Sequence, residues 1–254
     1  ITVNDGVGIY AAGGSVVNDA KIVVNSSDAY GIYNVGAIVE NNGDIDVVDG
    51  IGVDGSVKNY GYITVSTNGT GVNGRVENHG EITAELNGIG VYGSGSNSGA
   101  IYSDGYAGVV VDGSFTNNSS GTISGAGEHV VLVENGLFRN NGTMSVTSGT
   151  AVEVNGGSFS NVGELSISTG NPAVNVINGS MNNSGTITIG SGTGIRIGSG
   201  ATGSNGGLIV LSASGTAVWV EEDGSFTNSG KIQYNSEAYG SPGNVSGGEI
   251  EDVS

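Results

Sequence analysis

The run AVEVNGGSFSNVGELSI, Ala151 to Ile167, decides how this chain is read. It holds three short alternating runs, Val152-Glu153-Val154, Phe159-Ser160-Asn161 and Leu165-Ser166-Ile167, separated by glycine-rich corners. Apolar and polar residues alternate with period two, as in a strand with one buried face. No hairpin signal turns the chain back, and the pattern returns about twenty residues later, which is the mark of a solenoid.

Laid out at that period, the chain divides into about twelve rungs of 18–24 residues. They fall at 1–20, 21–43, 44–61, 62–80, 81–99, 100–121, 122–142, 143–163, 164–185, 186–207, 208–230 and 231–254. The marker is an asparagine one residue before a small-residue corner: Asn18, Asn41, Asn59, Asn78, Asn97, Asn117, Asn140, Asn161, Asn183, Asn205 and Asn228. Stacked side-chain amides at rung spacing bond to one another and to corner backbone, so a structural ladder is expected. Two residues before these asparagines stands an interior column, from which Phe115, Phe138, Phe159, Met181 and Phe226 form a core stack.

Each rung predicts three strands. The first carries inward pairs such as Ile45/Val47, Met144/Val146 and Ile187/Ile189, and the second Ile51/Val53, Val109/Val111 and Val152/Val154. Three strands advancing in one direction per turn describe an all-β, right-handed parallel β-helix with almost no helix, since parallel crossovers are overwhelmingly right-handed. At about 4.8 Å per rung the rod is on the order of 55–60 Å long.

The body reads as one continuous domain over 1–254 with three parts. Rungs in 1–99 are shorter and place Gly8, Gly31, Gly52, Gly71 and Gly90 at what reads as an outward column of the second strand, a possible contact stripe. Rungs in 100–234 are longer and carry the Phe column, and in this reading Val110, Leu132, Glu153, Asn175, Arg196 and Trp219 replace the glycines. The stretch 235–254 reads as an irregular terminal rung or cap, with Ile250-Glu251-Asp252 as its third strand. Ile1 already begins a strand, so a processed or excised segment of something longer is expected.

Composition excludes several classes. Among 254 residues stand 50 Gly, 2 Pro and no Cys, and 24 acidic against 6 basic residues give a net charge of −18. Nucleic acid and anionic lipid need clustered Lys and Arg, so neither is an expected partner. No run approaches the roughly 20 apolar residues of a membrane span, so no membrane insertion by this segment is expected. Absence of cysteine is common in large exported proteins, which pass an oxidising compartment more simply with nothing to oxidise.

Catalysis on such a scaffold needs carboxylates on adjacent rungs with basic groups for acidic sugars. Asp44, Asp46, Asp49 and Asp54 crowd one rung, and Glu221, Glu222 and Asp223 one corner. Neither forms a paired-carboxylate motif, and Arg196 lacks the lysine of a polygalacturonase pattern. His79 and His129 read as surface residues, and a catalytic function is not expected. No cofactor is implied, although Asp44, Asp46, Glu221, Glu222 and Asp223 are weak calcium candidates. Outward Thr64, Thr83, Ser124, Ser145, Ser166 and Thr188 form a hydroxyl column as in ice-binding solenoids, but Asp46 and Tyr102 interrupt it.

The phrase Gly-Ser-Phe-Thr-Asn-Ser-Gly-Lys-Ile at 224–232, with cousins at 113–123, 136–144 and 179–187, resembles the β-helical passenger repeats of autotransporter adhesins. It is similar also to repeats of filamentous-haemagglutinin-like exported proteins. The resemblance covers nearly the whole chain and implies an extracellular or bacterial cell-surface location, with adhesion, aggregation or biofilm formation as the activity. Two readings follow from the residues. In one, an adhesin shaft presents Tyr102, Tyr106, Trp219 and the glycine stripe to a host or cell-surface ligand or to a twin molecule. In the other, open first and last rungs stack end to end into an extracellular filament.

Overall fold

A computed structural model of the chain describes residues 1–234 and 249–252. All 27 strands of the described residues belong to one sheet, and every pairing in it is parallel. Each strand pairs with its counterparts about one rung away, so the sheet winds into a parallel β-helix of about 11 turns. Among the described residues no helix is long and apolar enough to cross a membrane.

Three faces are recognisable in each turn, although corners sometimes keep strand geometry. Lys21–Asn34 joins two faces and Asp44–Asn59 all three. The first face has the predicted register. Ile45 pairs with Ile22 and Ile63, Met144 with Ile123 and Leu165, and Ile209 with Ile187 and Ile232. These isoleucines and their partners two residues on are almost wholly buried through Leu211, because period-two alternation sends both inward. The twelfth rung adds Lys231–Tyr234 on the first face and Glu249–Asp252 against Ser225–Asn228 on the third. The rest of the segment read as a terminal rung or cap, 235–248 and 253–254, lies outside the described residues.

The third face holds the aromatic column. Phe115, Phe138 and Phe159 are buried, with ring centroids 6.3 Å and 5.6 Å apart, and Met181 continues the file. Gly203 and then Phe226 follow in the same register. Offset stacking of such rings adds about 1 kcal/mol per pair beyond burial of their area.

At the corner beyond that column the asparagines form a continuous amide file. Each Nδ2 donates to the Oδ1 of the asparagine one rung on, at 2.7–2.9 Å from Asn18 to Asn228. Most Nδ2 atoms also donate to the carbonyl two residues ahead, as Asn59 does to Gly61. The asparagine carbonyl accepts two corner N–H groups from the next rung, as Asn41 does from Tyr60 and Gly61. Both ends of the amide and the corner backbone are therefore satisfied without water.

Candidate functional site

The second face is where the structure corrects the sequence reading. Its ladder runs Val53–Val72–Val91–Val109, so Val53 is equivalent to Val109 and not to Val111. The true partner of Val111 is Gly93, which stacks on Gly74 and Gly55. The shorter rungs thus hold glycine at an inward position that the longer rungs fill with Val111, Val133 and Val154. Gly74 and Gly93 have φ of +138° and +135°, and a Cβ there would lie within 2.3 Å of the preceding rung's carbonyl oxygen. A hydrophobic pattern passes over such positions and so sets Val53 level with Val111, two residues out of register.

The proposed glycine stripe falls with that slip. Gly31, Gly52, Gly71 and Gly90 are buried and Gly8 is half-buried, so they present no outward column. A Cβ on Gly52 would stand 2.6 Å from the Gly71 oxygen and 2.9 and 3.1 Å from the core methyls of Val47 and Ile45. The column continues through Gly108, Val130, Ala151, Ala173, Gly194 and Ala217, every one buried. Two rungs approach most closely at this corner, and small residues are required there for packing.

The outward column of the second face is instead Tyr10, Tyr33, Asp54, Asn73, Tyr92, Val110, Leu132, Glu153, Asn175, Arg196 and Trp219. Beside it Tyr30 lies edge-on to Tyr33, which stacks on Tyr10 at 5.8 Å. In the middle of this face Ala107, Val110 and Leu132 form a small apolar cluster of their own, separate from the solenoid core, with Ile89 and Tyr92 packed against it. Val110 is 1% exposed although it points away from the core, because neighbouring side chains close over it.

Polar groups ring this cluster. The Tyr92 hydroxyl donates to Oε2 of Glu134 at 3.3 Å, reaching across two rungs. Tyr106 meets the His129 ring edge-on at 5.6 Å and stays 37% exposed. His129 Nε2 lies 3.7 Å from Glu128 Oε1, and its Nδ1 lies 3.9 Å from Glu153 Oε2. That Nδ1 is buried and makes no hydrogen bond. Glu153 Oε2 accepts a bond from Asn175 Nδ2, and Asn175 in turn accepts one from Arg196. The Glu134 charge, then burial, raises the Tyr92 hydroxyl above its ordinary pKa. Burial first, then Glu128, Glu134 and Glu153, does the same to Tyr106.

The remaining candidates are scattered. Tyr102 sits on the first face and bonds Asp104, while Trp219 stands five rungs from the Val110 level, about 24 Å along the axis. Tyr102, Tyr106 and Trp219 therefore do not form one patch. Of the calcium candidates, Asp46 is paired with Lys21 and Glu221 with Arg196. Among the described residues no group of three or more metal-capable side chains converges, at Asp44 and Asp46 or at Glu221, Glu222 and Asp223. A shallow groove of about 430 Å³ on the third face, lined by Ser158, Ser160, Asn182, Thr202, Ser204 and neighbours, contains no acid or base.

Comparison with protein-family models, curated proteins and solved structures finds no match to this chain.

Proposed function

We propose that this chain is a non-catalytic β-solenoid of an extracellular, adhesin-type surface protein, holding partners against the outer side of its second face. The observation that carries the reading is the concentration of outward aromatic side chains there. Tyr10, Tyr30, Tyr33, Tyr92 and Trp219 share two neighbouring columns, and Tyr106 adjoins them. Elsewhere the outer surface of the longer rungs is largely Ser, Thr and Asn, as at Ser158/Ser160, Ser180/Asn182 and Thr202/Ser204. Aromatic side chains supply contact area at small entropic cost and are enriched at interfaces.

A cysteine-free, acidic, repeat-built body whose third-face groove holds no acid or base fits a scaffold that binds and does not transform. The test is attachment of beads coated with the purified chain to bacterial and host cells. Replacing Tyr10, Tyr33, Tyr92 and Trp219 by serine is expected to abolish attachment while circular dichroism stays unchanged. Undiminished attachment by a folded variant would defeat the reading.

A further inference from the structure

The middle of the second face carries an imbalance that the rest of the fold does not resolve. Glu128, Glu134 and Glu153 surround Tyr106 and His129, and among the described residues no lysine or arginine forms an ion pair with any of them. Three acidic side chains elsewhere do meet a lysine or arginine: Asp46 with Lys21, Glu77 with Lys58 and Glu221 with Arg196. Among the described residues His129 is the cationic candidate at these carboxylates, its ring nitrogens 3.7 and 3.9 Å from their oxygens, outside hydrogen-bond reach. Arg196 reaches Glu153 only through Asn175 and pairs with Glu221.

We propose that Tyr92, Tyr106, Glu128, Glu134 and Glu153, grouped around His129, form a docking site for an arginine or lysine side chain on a basic segment of a partner protein. The proposal rests on reading the second face as the binding side of the molecule, and it names the chemistry of the partner. Tyr106 offers an exposed ring face on which a guanidinium can lie, and the carboxylates supply its hydrogen-bond acceptors. The methylene stem of such a side chain needs an apolar approach, which the Tyr92 ring, packed against Ala107, Val110 and Leu132, provides. A net charge of −18 favours encounter with a basic partner from a distance, and the aromatic rings fix where it lands. Burial first, and then the Glu128, Glu134 and Glu153 charges, hold the Tyr106 proton, and those three charges are the ones that would attract an added positive charge.

The probe is the blocked peptide acetyl-Leu-Arg-Arg-Leu-amide, titrated at low ionic strength while the Tyr106 and His129 ring signals are followed by NMR. Saturable shifts of both rings are expected, with affinity at least tenfold weaker for E134Q/E153Q and for Tyr106→Leu. The E85Q/E164Q variant, of equal charge but away from the site, is expected to bind as the original chain does. Should E153Q disturb packing, exposed Glu134→Gln alone still reports, with several-fold weakening expected. Absent shifts, or equal weakening in E85Q/E164Q, would overturn the site in favour of general attraction to an acidic body. Tetramethylammonium binding as tightly as the peptide would overturn the assignment to a protein partner. Loss of cell attachment with peptide binding intact would defeat only the broader adhesive reading.

Discussion

Phe226 occupies the space that Gly203 leaves open one rung earlier: a Cβ on Gly203 would lie 2.6 Å from Cδ2 of the Phe226 ring. The two residues are register partners, so the ring folds beneath its own column and does not stack on a flat neighbour. Ile197 fills the remaining side of the gap. Gly203→Ala therefore overpacks the core and is expected to cost about 2 kcal/mol in urea unfolding. Phe226→Leu in the same chain should recover part of that loss, and strictly additive effects would show that the two do not share the space.

Gly52→Ala separates the inward assignment of the glycine column from the outward one. An exposed strand glycine gains slightly on becoming alanine, whereas at Gly52 the new methyl meets the Gly71 carbonyl oxygen. Destabilisation of about 3 kcal/mol or more is expected, seen as a lower urea midpoint. A neutral or stabilising result would return the column to the surface.

Asn140→Ala removes the donor to Asn161 and the acceptor for Asn117 together, at a position with no solvent access. The orphaned amides and the Glu164 carbonyl, which also accepts from Asn140, make the expected loss about 3 kcal/mol. Asn155→Ala, at an exposed corner position, should stay within about 0.5 kcal/mol. The contrast is read from paired urea curves.

Alkaline pH should weaken the fold through its surface tyrosines. Tyr92, Tyr102 and Tyr106 all hold their protons above the ordinary value of 10.0, through the Glu134 charge, the Asp104 hydrogen bond and burial respectively. Above that value the unfolded chain releases protons that the folded chain retains, so stability is intact below it and falls as pH rises through the raised values. Urea midpoints measured between about pH 9 and 11 are expected to decline. Glu134→Gln should move the Tyr92 titration, followed by ultraviolet absorbance, back toward 10.0 and shrink the decline.

Ser103 sits fully buried in the inward column of the first face, and its hydroxyl has no hydrogen-bond partner. Ser103→Ala removes an unsatisfied group and is expected to raise stability by about 1 kcal/mol. A clear loss would point to a partner for the hydroxyl.

The fold was legible because two signals repeat with few exceptions on their faces. The corner asparagines mark eleven of the twelve rungs, and the inward residues of the first face, isoleucine but for Met144 and Leu165, alternate cleanly from Ile22 to Ile209. The second face was harder to read. An inward residue there can be Gly93 or Val111, and steric room decides between them, which hydrophobicity does not report. The apolar cluster at Val110 and Leu132 was equally obscure, since it needs side chains from successive rungs about twenty residues apart, Ile89 and Tyr92 among them. Val110, Leu132 and Glu153 were read as outward residues, Tyr106 as a contact residue and His129 as a surface residue, and nothing in the sequence joined them.

The near-uniformity of the amide file has a cost for folding fidelity. Displacing the chain by a whole rung would still set asparagine on asparagine and isoleucine on isoleucine, so neither column distinguishes the correct alignment from a neighbouring one. The unequal volumes of the third face do: Phe115, Phe138 and Phe159 need one another, and Phe226 needs Gly203. These few residues act as an address on an otherwise repetitive tape, and replacing them with an average side chain would leave the architecture possible but its alignment ambiguous.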